Sequence, residues 1–132
     1  MNHILSLNIR GLGNASKTHC LKDILYTANP IIFLGQETMC ARERAIKTFL
    51  GFKAGWNVVA VDAVGLSGGL IAIWNPDHAA CKAYKFFGGI LLSGQLRGME
   101  EPVNIINIYA PYCNRIPFWQ RMMDSSILSL HN

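Results

Sequence analysis

The sequence predicts a single mixed α/β unit, and three observations carry that expectation. An apolar strand, an amphipathic helix and a second apolar strand open the chain, which is the pattern of a βαβ unit. Short β-rich stretches follow, separated by Gly or Pro turns too short to hold crossover helices, so they are expected to pair antiparallel. A helix opened by Pro117 follows the last strand. In order, residues 3–9 (HILSLNI) read as a strand with Leu5, Leu7 and Ile9 on one face. Gly11, Leu12, Gly13 and Asn14 turn, and Ser16 is a candidate N-cap for a helix through Ala28, whose apolar positions Cys20, Leu21, Ile24 and Leu25 repeat at helical spacing. Asn29-Pro30 stops it. Residues 31–36 (IIFLGQ) read as a buried strand parallel to the first and ending at Glu37. Residues 41–50 support a second helix. Residues 56–62, 68–74, 81–86 and 90–97 are the short β stretches, 103–109 (VNIINIY) is a further buried strand, and 110–116 is a loop. Turns are expected at 64–69 and 75–77.

The 132 residues suffice for one domain. Hydrophobic residues reach 51% and charged ones only 15%, which excludes disorder, and mean hydropathy is +0.22. Lys and Arg exceed Asp and Glu by 12 − 8 = +4, a mild basicity that favours polyanionic partners. Arg42, Arg44 and Lys47, interrupted by Glu43, read as a solvated helix face. Cys20, Cys40, Cys81 and Cys113 lie far apart without zinc-site spacing and are expected to be reduced and mostly buried. Neither a secretory signal nor an apolar run of membrane-spanning length is found, so no membrane partner is expected, and the expected location is intracellular.

Two constellations bear on chemistry. Gly11-Leu12-Gly13 between a strand and a helix, with Glu37 ending the next strand, outlines a dinucleotide-binding turn. Ser16 stands in place of the third glycine, and the stretches that follow lack another βα repeat. The second constellation is polar residues at strand ends. Parallel pairing puts Asn8 and Glu37 at the carboxyl edge of one sheet, where α/β proteins form ligand sites, and Tyr109 ends a third strand. A lone carboxylate there needs compensation, which a divalent cation with oxygen ligands supplies. Equally, Glu37 reaches solvent and Asn8 makes an Asx-turn into the glycine bend.

Four segments occur in order: LNIRGLG at 7–13, FLGQET at 33–38, SGGL at 67–70 before Trp74-Asn75-Pro76, and NIYAP at 107–111. Together they resemble the endonuclease/exonuclease/phosphatase family, most of all the endonuclease domains of plant LINE-type (non-LTR) retrotransposons. The resemblance implies a mixed-sheet half of that family's two-sheet α/β sandwich, acting as a phosphodiesterase on DNA with Mg²⁺ or Mn²⁺. It implies Glu37 as metal ligand, Asn8 as the residue ordering the catalytic network, and Tyr109 as the hydroxyl facing the scissile phosphate. Trp74 and Trp119 fall at family-like positions and read as packing residues.

The departures are specific. Leu7 replaces a Trp, and Arg10 stands where many relatives carry a metal-site acid. Tyr112 occupies a substrate-contacting Asn position, leaving Arg10, Asn114 and Arg115 as the expected nucleic-acid contacts. The family's Gly-Asp-Phe-Asn and Ser-Asp-His motifs have no match, and His3, His19, His78 and His131 lie outside family motifs. The expectation is therefore a truncated domain over 1–132, with impaired activity and a nuclear address if derived from a retroelement. The alternative is a non-catalytic module binding nucleic acid or protein weakly. The apolar excess is expected to be the uncovered inner face of one sheet, open to self-association.

Overall fold

The computed structural model describes residues 3–65, 67–110 and 114–125. Seven strands and three helices follow one another: β1 (Ile4–Asn8), α1 (Ala15–Ala28), β2 (Ile32–Gln36), α2 (Arg42–Phe52), β3 (Asn57–Val64), β4 (Ser67–Trp74), β5 (Ala79–Phe86), β6 (Gly89–Leu96), β7 (Val103–Ile108) and α3 (Arg115–Asp124). Pro111, Tyr112, Cys113 and His131, all covered above, lie outside the described residues, as does Leu66 in the expected 64–69 turn.

The N-terminal βαβ expectation holds. Strands β1 and β2 pair in parallel, with Asn8 opposite Gln36. Helix α1 is capped by Asn14, whose side chain accepts from the Lys17 N–H at 3.1 Å, two residues before the expected Ser16. Asn29 closes the helix in a left-handed conformation (φ 46°) ahead of Pro30. This self-capped helix start, with two antiparallel pairings after β2, departs from the dinucleotide-binding pattern.

The sheets correct the expectation of one sheet with an open face. Strand order is β1-β2-β4-β3 in one sheet and β5-β6-β7 in a second, and every pairing after β1–β2 is antiparallel. Strands β2 and β4 are central in their sheet, and helices cover one of their faces and the second sheet the other. Phe33, Ile71 and Ile73 pack under α1 and α2 with Leu21, Leu25 and Phe49. Ile32, Leu34, Leu70, Ala72 and Trp74 face the second sheet and meet Ile90, Leu92 and Leu96. Strands buried on both sides must be apolar throughout. The hydrophobic excess is thus a doubly covered sheet rather than an open one.

Smaller differences follow from local contacts. Helix α3 begins at Arg115, so Pro117 is its third residue; Met122 is buried beneath it. Of the cysteines described, Cys20 is exposed and Cys40 and Cys81 are half-buried, against the expectation of buried thiols. Arg42 and Arg44 are exposed as expected, and Arg44 donates to the Gly13 carbonyl at 2.7 Å. Trp74 packs in the core, whereas Trp119 is 43% exposed. No described helix is long and apolar enough to cross a membrane.

Candidate active site

Parallel pairing sends the chain out of β1 and β2 at the same edge, and the two loops stay joined beyond the strands. Ile9 N–H donates to Gln36 O at 2.8 Å, Gly11 N–H to Glu37 O at 2.7 Å, and Leu12 N–H to Thr38 O at 3.0 Å. The second loop is also tied to the start of β4, through Thr38 N–H to Gly69 O and Met39 N–H to Gly68 O. Gly69 is required there. Its φ is +90°, and a Cβ would lie 2.1 Å from Thr38 Oγ1. The SGGL segment thus holds the loop that carries Glu37.

Glu37 itself has φ 57°, a left-handed conformation costly for a side chain with a Cβ. Arg10 (57°) and Met39 (56°) share it. Such conformations persist where surrounding contacts impose them, and they gather at functional sites. Tyr109 follows β7 in the other sheet and donates its hydroxyl to Glu37 Oε1 at 3.1 Å. Asn8 accepts the Arg10 N–H on Oδ1 at 3.1 Å, which is the Asx-turn expected from the sequence. With that oxygen engaged, its amide nitrogen is the group available to an anion.

A cleft of about 670 Å³ is lined by Asn8, Arg10, Glu37, Met39, Tyr109, Ala110 and Arg115. Five sequence-predicted residues therefore meet in one place, and Asn114 does not line it. It sits outside, in a left-handed conformation (φ 59°) before α3. Two arginines against one carboxylate leave the cleft net positive, suited to a phosphate.

Sequence reasoning missed the support beneath the cleft. Asn107 is 2% exposed and crosses between the sheets, donating to Ile71 O at 2.9 Å and Gly35 O at 3.3 Å. Its Oδ1 accepts from Gln36 Nε2 at 2.8 Å, and Gln36 also reaches Ser6 Oγ at 3.1 Å. The available signal was two amides at inward-facing positions of otherwise apolar strands.

The donor set of the cleft suits a divalent cation in one mode only. Among the described residues no three His, Cys, Asp or Glu side chains come together, so these residues form no cage of such ligands. Glu37 keeps Oε2 for a cation while Oε1 receives the Tyr109 proton. Mg²⁺ is commonly held by one or two carboxylates together with substrate phosphates, and the single carboxylate of this cleft fits that mode with the phosphate supplying the remaining oxygens.

Solved structures share this architecture. The catalytic domain of Xenopus laevis APE2 is 16% identical, with TM-score 0.71, covering 98% of this chain and 55% of that one. An AP endonuclease from Archaeoglobus fulgidus is 16% identical, with TM-score 0.67, covering 100% and 53%. TDP2 from Caenorhabditis elegans is 16% identical, with TM-score 0.61, covering 96% and 43%. The chain has the fold of about half the length of these proteins, the two-sheet α/β sandwich. No family model and no curated protein matches the sequence.

Proposed function

We propose that the Glu37 cleft hydrolyses phosphodiesters of DNA with Mg²⁺ or Mn²⁺, as a retroelement-type nuclease whose activity in this stretch is impaired. The observation that carries this reading is the 3.1 Å hydrogen bond from Tyr109 to Glu37, which joins the ends of strands from two sheets in a net-positive cleft. Support comes also from the four ordered segments resembling LINE-type endonucleases, and from the fold shared with two AP endonucleases and TDP2. Such an enzyme works on nuclear DNA.

Glu37 would hold the cation, whose chemistry there would be to offset the charge of the phosphate and of the leaving oxygen. Arg10 and Arg115 draw the phosphodiester into the cleft, and the Asn8 amide donates to a non-bridging oxygen. Tyr109 does two jobs: its hydroxyl fixes the Glu37 carboxylate, and its ring closes one side of the cleft. Neither a second carboxylate nor a histidine lines the cleft among the described residues, so no side chain there takes the proton from an attacking water. That is the reason to expect slow turnover. It also favours a second reading, weak non-catalytic nucleic-acid binding.

The test is plasmid cleavage with Mg²⁺ or Mn²⁺. The nuclease reading expects nicking by the wild type, lost with EDTA and reduced about 100-fold or more by Glu37→Gln. Binding without nicking, weakening steeply with salt, selects the second reading. Nicking unchanged by Glu37→Gln overturns the site assignment.

A further inference from the structure

We infer that an apolar cleft on the far side of Tyr109 receives a nucleobase of the same strand whose phosphate enters the Glu37 cleft, making unpaired or single-stranded DNA the preferred substrate. This rests on the nuclease reading for the phosphate and on independent geometry for the base. The second cleft, about 320 Å³, opens between the β3–β4 ribbon and the tip of the β5–β6 hairpin. It lies within the roughly 300–1,000 Å³ of small-molecule sites. Phe86, Phe87 and Phe118 form one side, and Val61, Val64 and Leu70 the other.

Tyr109 is the wall common to both clefts. Its hydroxyl belongs to the polar side, and its ring belongs to the apolar side, where a Cβ on Gly68 would lie 3.8 Å from it. A ligand filling both must be anionic at one end and flat and apolar at the other, one side chain's width away. A nucleotide has that form. The charges agree: among the described residues Asp62 is the one charged side chain that lines the apolar cleft, so a phosphate is disfavoured there, whereas Arg10 and Arg115 line the other.

The aromatic wall is built rather than incidental. Phe86 and Phe87 meet edge to face at 5.5 Å, as do Phe87 and Phe118 at 6.0 Å. Arg121 lies 3.9 Å over the Phe87 ring. A Cβ at Gly88 would stand 2.8 Å from the Phe118 ring, so this glycine is what lets α3 set Phe118 against the hairpin tip. Phe87 nevertheless keeps 38% of its surface exposed. Aromatic rings beside a cationic backbone site are how sequence-tolerant single-strand binders hold bases, and placing a base there costs least when it is unpaired.

The test measures binding in EDTA, without cleavage, by fluorescence anisotropy with a labelled hexathymidylate and with hexamers lacking one base at each position in turn. At one position, loss of the base is expected to weaken binding about five-fold or more, the lower end for a base on an aromatic ring. Phe87→Ala, at a part-exposed position, should abolish that preference while leaving affinity for the base-less hexamer within about two-fold; Phe87→Tyr should keep it. No position dependence, no measurable binding to any hexamer, or equal weakening of all probes by Phe87→Ala overturns the proposal. So does Phe87-dependent binding to phosphatidic acid vesicles in place of the hexamers, which assigns the cleft to a lipid. The wild type, assayed for both nicking and base preference, separates the two readings. A base preference that survives in a protein that never nicks DNA defeats only the nuclease reading, whereas nicking without a base preference defeats only this one.

Discussion

The amide of Asn107 donates to the carbonyl of Ile71 at 2.9 Å across the interior between the two sheets. Apolar packing fixes two sheets by shape alone, and a modest shift can be met by repacking. A buried amide with named partners does not permit that, since each displaced partner is left without a hydrogen bond.

Asn107→Ala therefore is expected to destabilise more than the loss of a small side chain suggests. It removes the side-chain donor to the Ile71 and Gly35 carbonyls, while Gln36 keeps Ser6 Oγ and the Leu34 carbonyl, and a buried polar group that loses its partner costs about 1–3 kcal/mol. Urea unfolding should show a loss of about 2 kcal/mol or more, with the m-value unchanged. Asn107→Asp should lose more at neutral pH, where a carboxylate faces two carbonyls. Part of that loss should return as pH falls and the acid regains a proton to donate.

Tyr109→Phe keeps the ring between the clefts and removes only the hydroxyl that meets Glu37. Stability should change by about 1 kcal/mol or less, because the bond is part-exposed. Nicking should fall about ten-fold, in kcat more than in KM, since the substituted group orients the carboxylate without enlarging the binding surface. An unchanged kcat removes Tyr109 from the site.

Gly69→Ala and Gly65→Ala make a controlled pair. Both glycines have positive φ (90° and 66°), but a Cβ at 65 meets nothing within 4 Å, whereas at 69 it collides with Thr38 Oγ1. Gly65→Ala should cost about 1 kcal/mol of backbone strain, and Gly69→Ala clearly more, while also lowering nicking by shifting the Glu37 loop. Equal melting temperatures for the two variants would remove the role assigned to Gly69.

Thiol labelling should rank the cysteines. Burial pushes the Cys81 thiol above its ordinary pKa, so little thiolate exists at neutral pH, while Cys20 lies on the surface. A thiol reagent at pH 7.5 is expected to modify Cys20 well before Cys81. The folded chain keeps the Cys81 proton to higher pH than the unfolded chain does, so this residue's effect on stability turns unfavourable as pH rises through the thiol range.

Much of this architecture was legible because it is local. The parallel β1–β2 pair follows from periodicity and the stop at Pro30, and the antiparallel remainder from short turns. Which strands share a sheet was not legible. The turn at Asn75-Pro76-Asp77 is where the chain leaves the first sheet for the second, yet it looks like any other turn. Alternation in β4 cannot say whether Leu70, Ala72 and Trp74 meet a helix or another sheet. For the site, residue type and strand-end position were enough to bring Asn8, Glu37 and Tyr109 together. Asn114 stands outside the cleft because its neighbour Arg115 already begins α3, and Asn107 was passed over because inward-facing amides look like errors in an apolar pattern.

The left-handed backbone at Arg10, Glu37 and Met39 has an evolutionary side. At each of these positions Asn or Gly would relieve strain of about 1–2 kcal/mol. Stability and the candidate chemistry therefore pull in opposite directions over three neighbouring residues. A lineage kept only for its ability to fold should drift to Asn or Gly there, so the retention of Glu at position 37 among orthologues tells whether selection acts on the chemistry or on the scaffold.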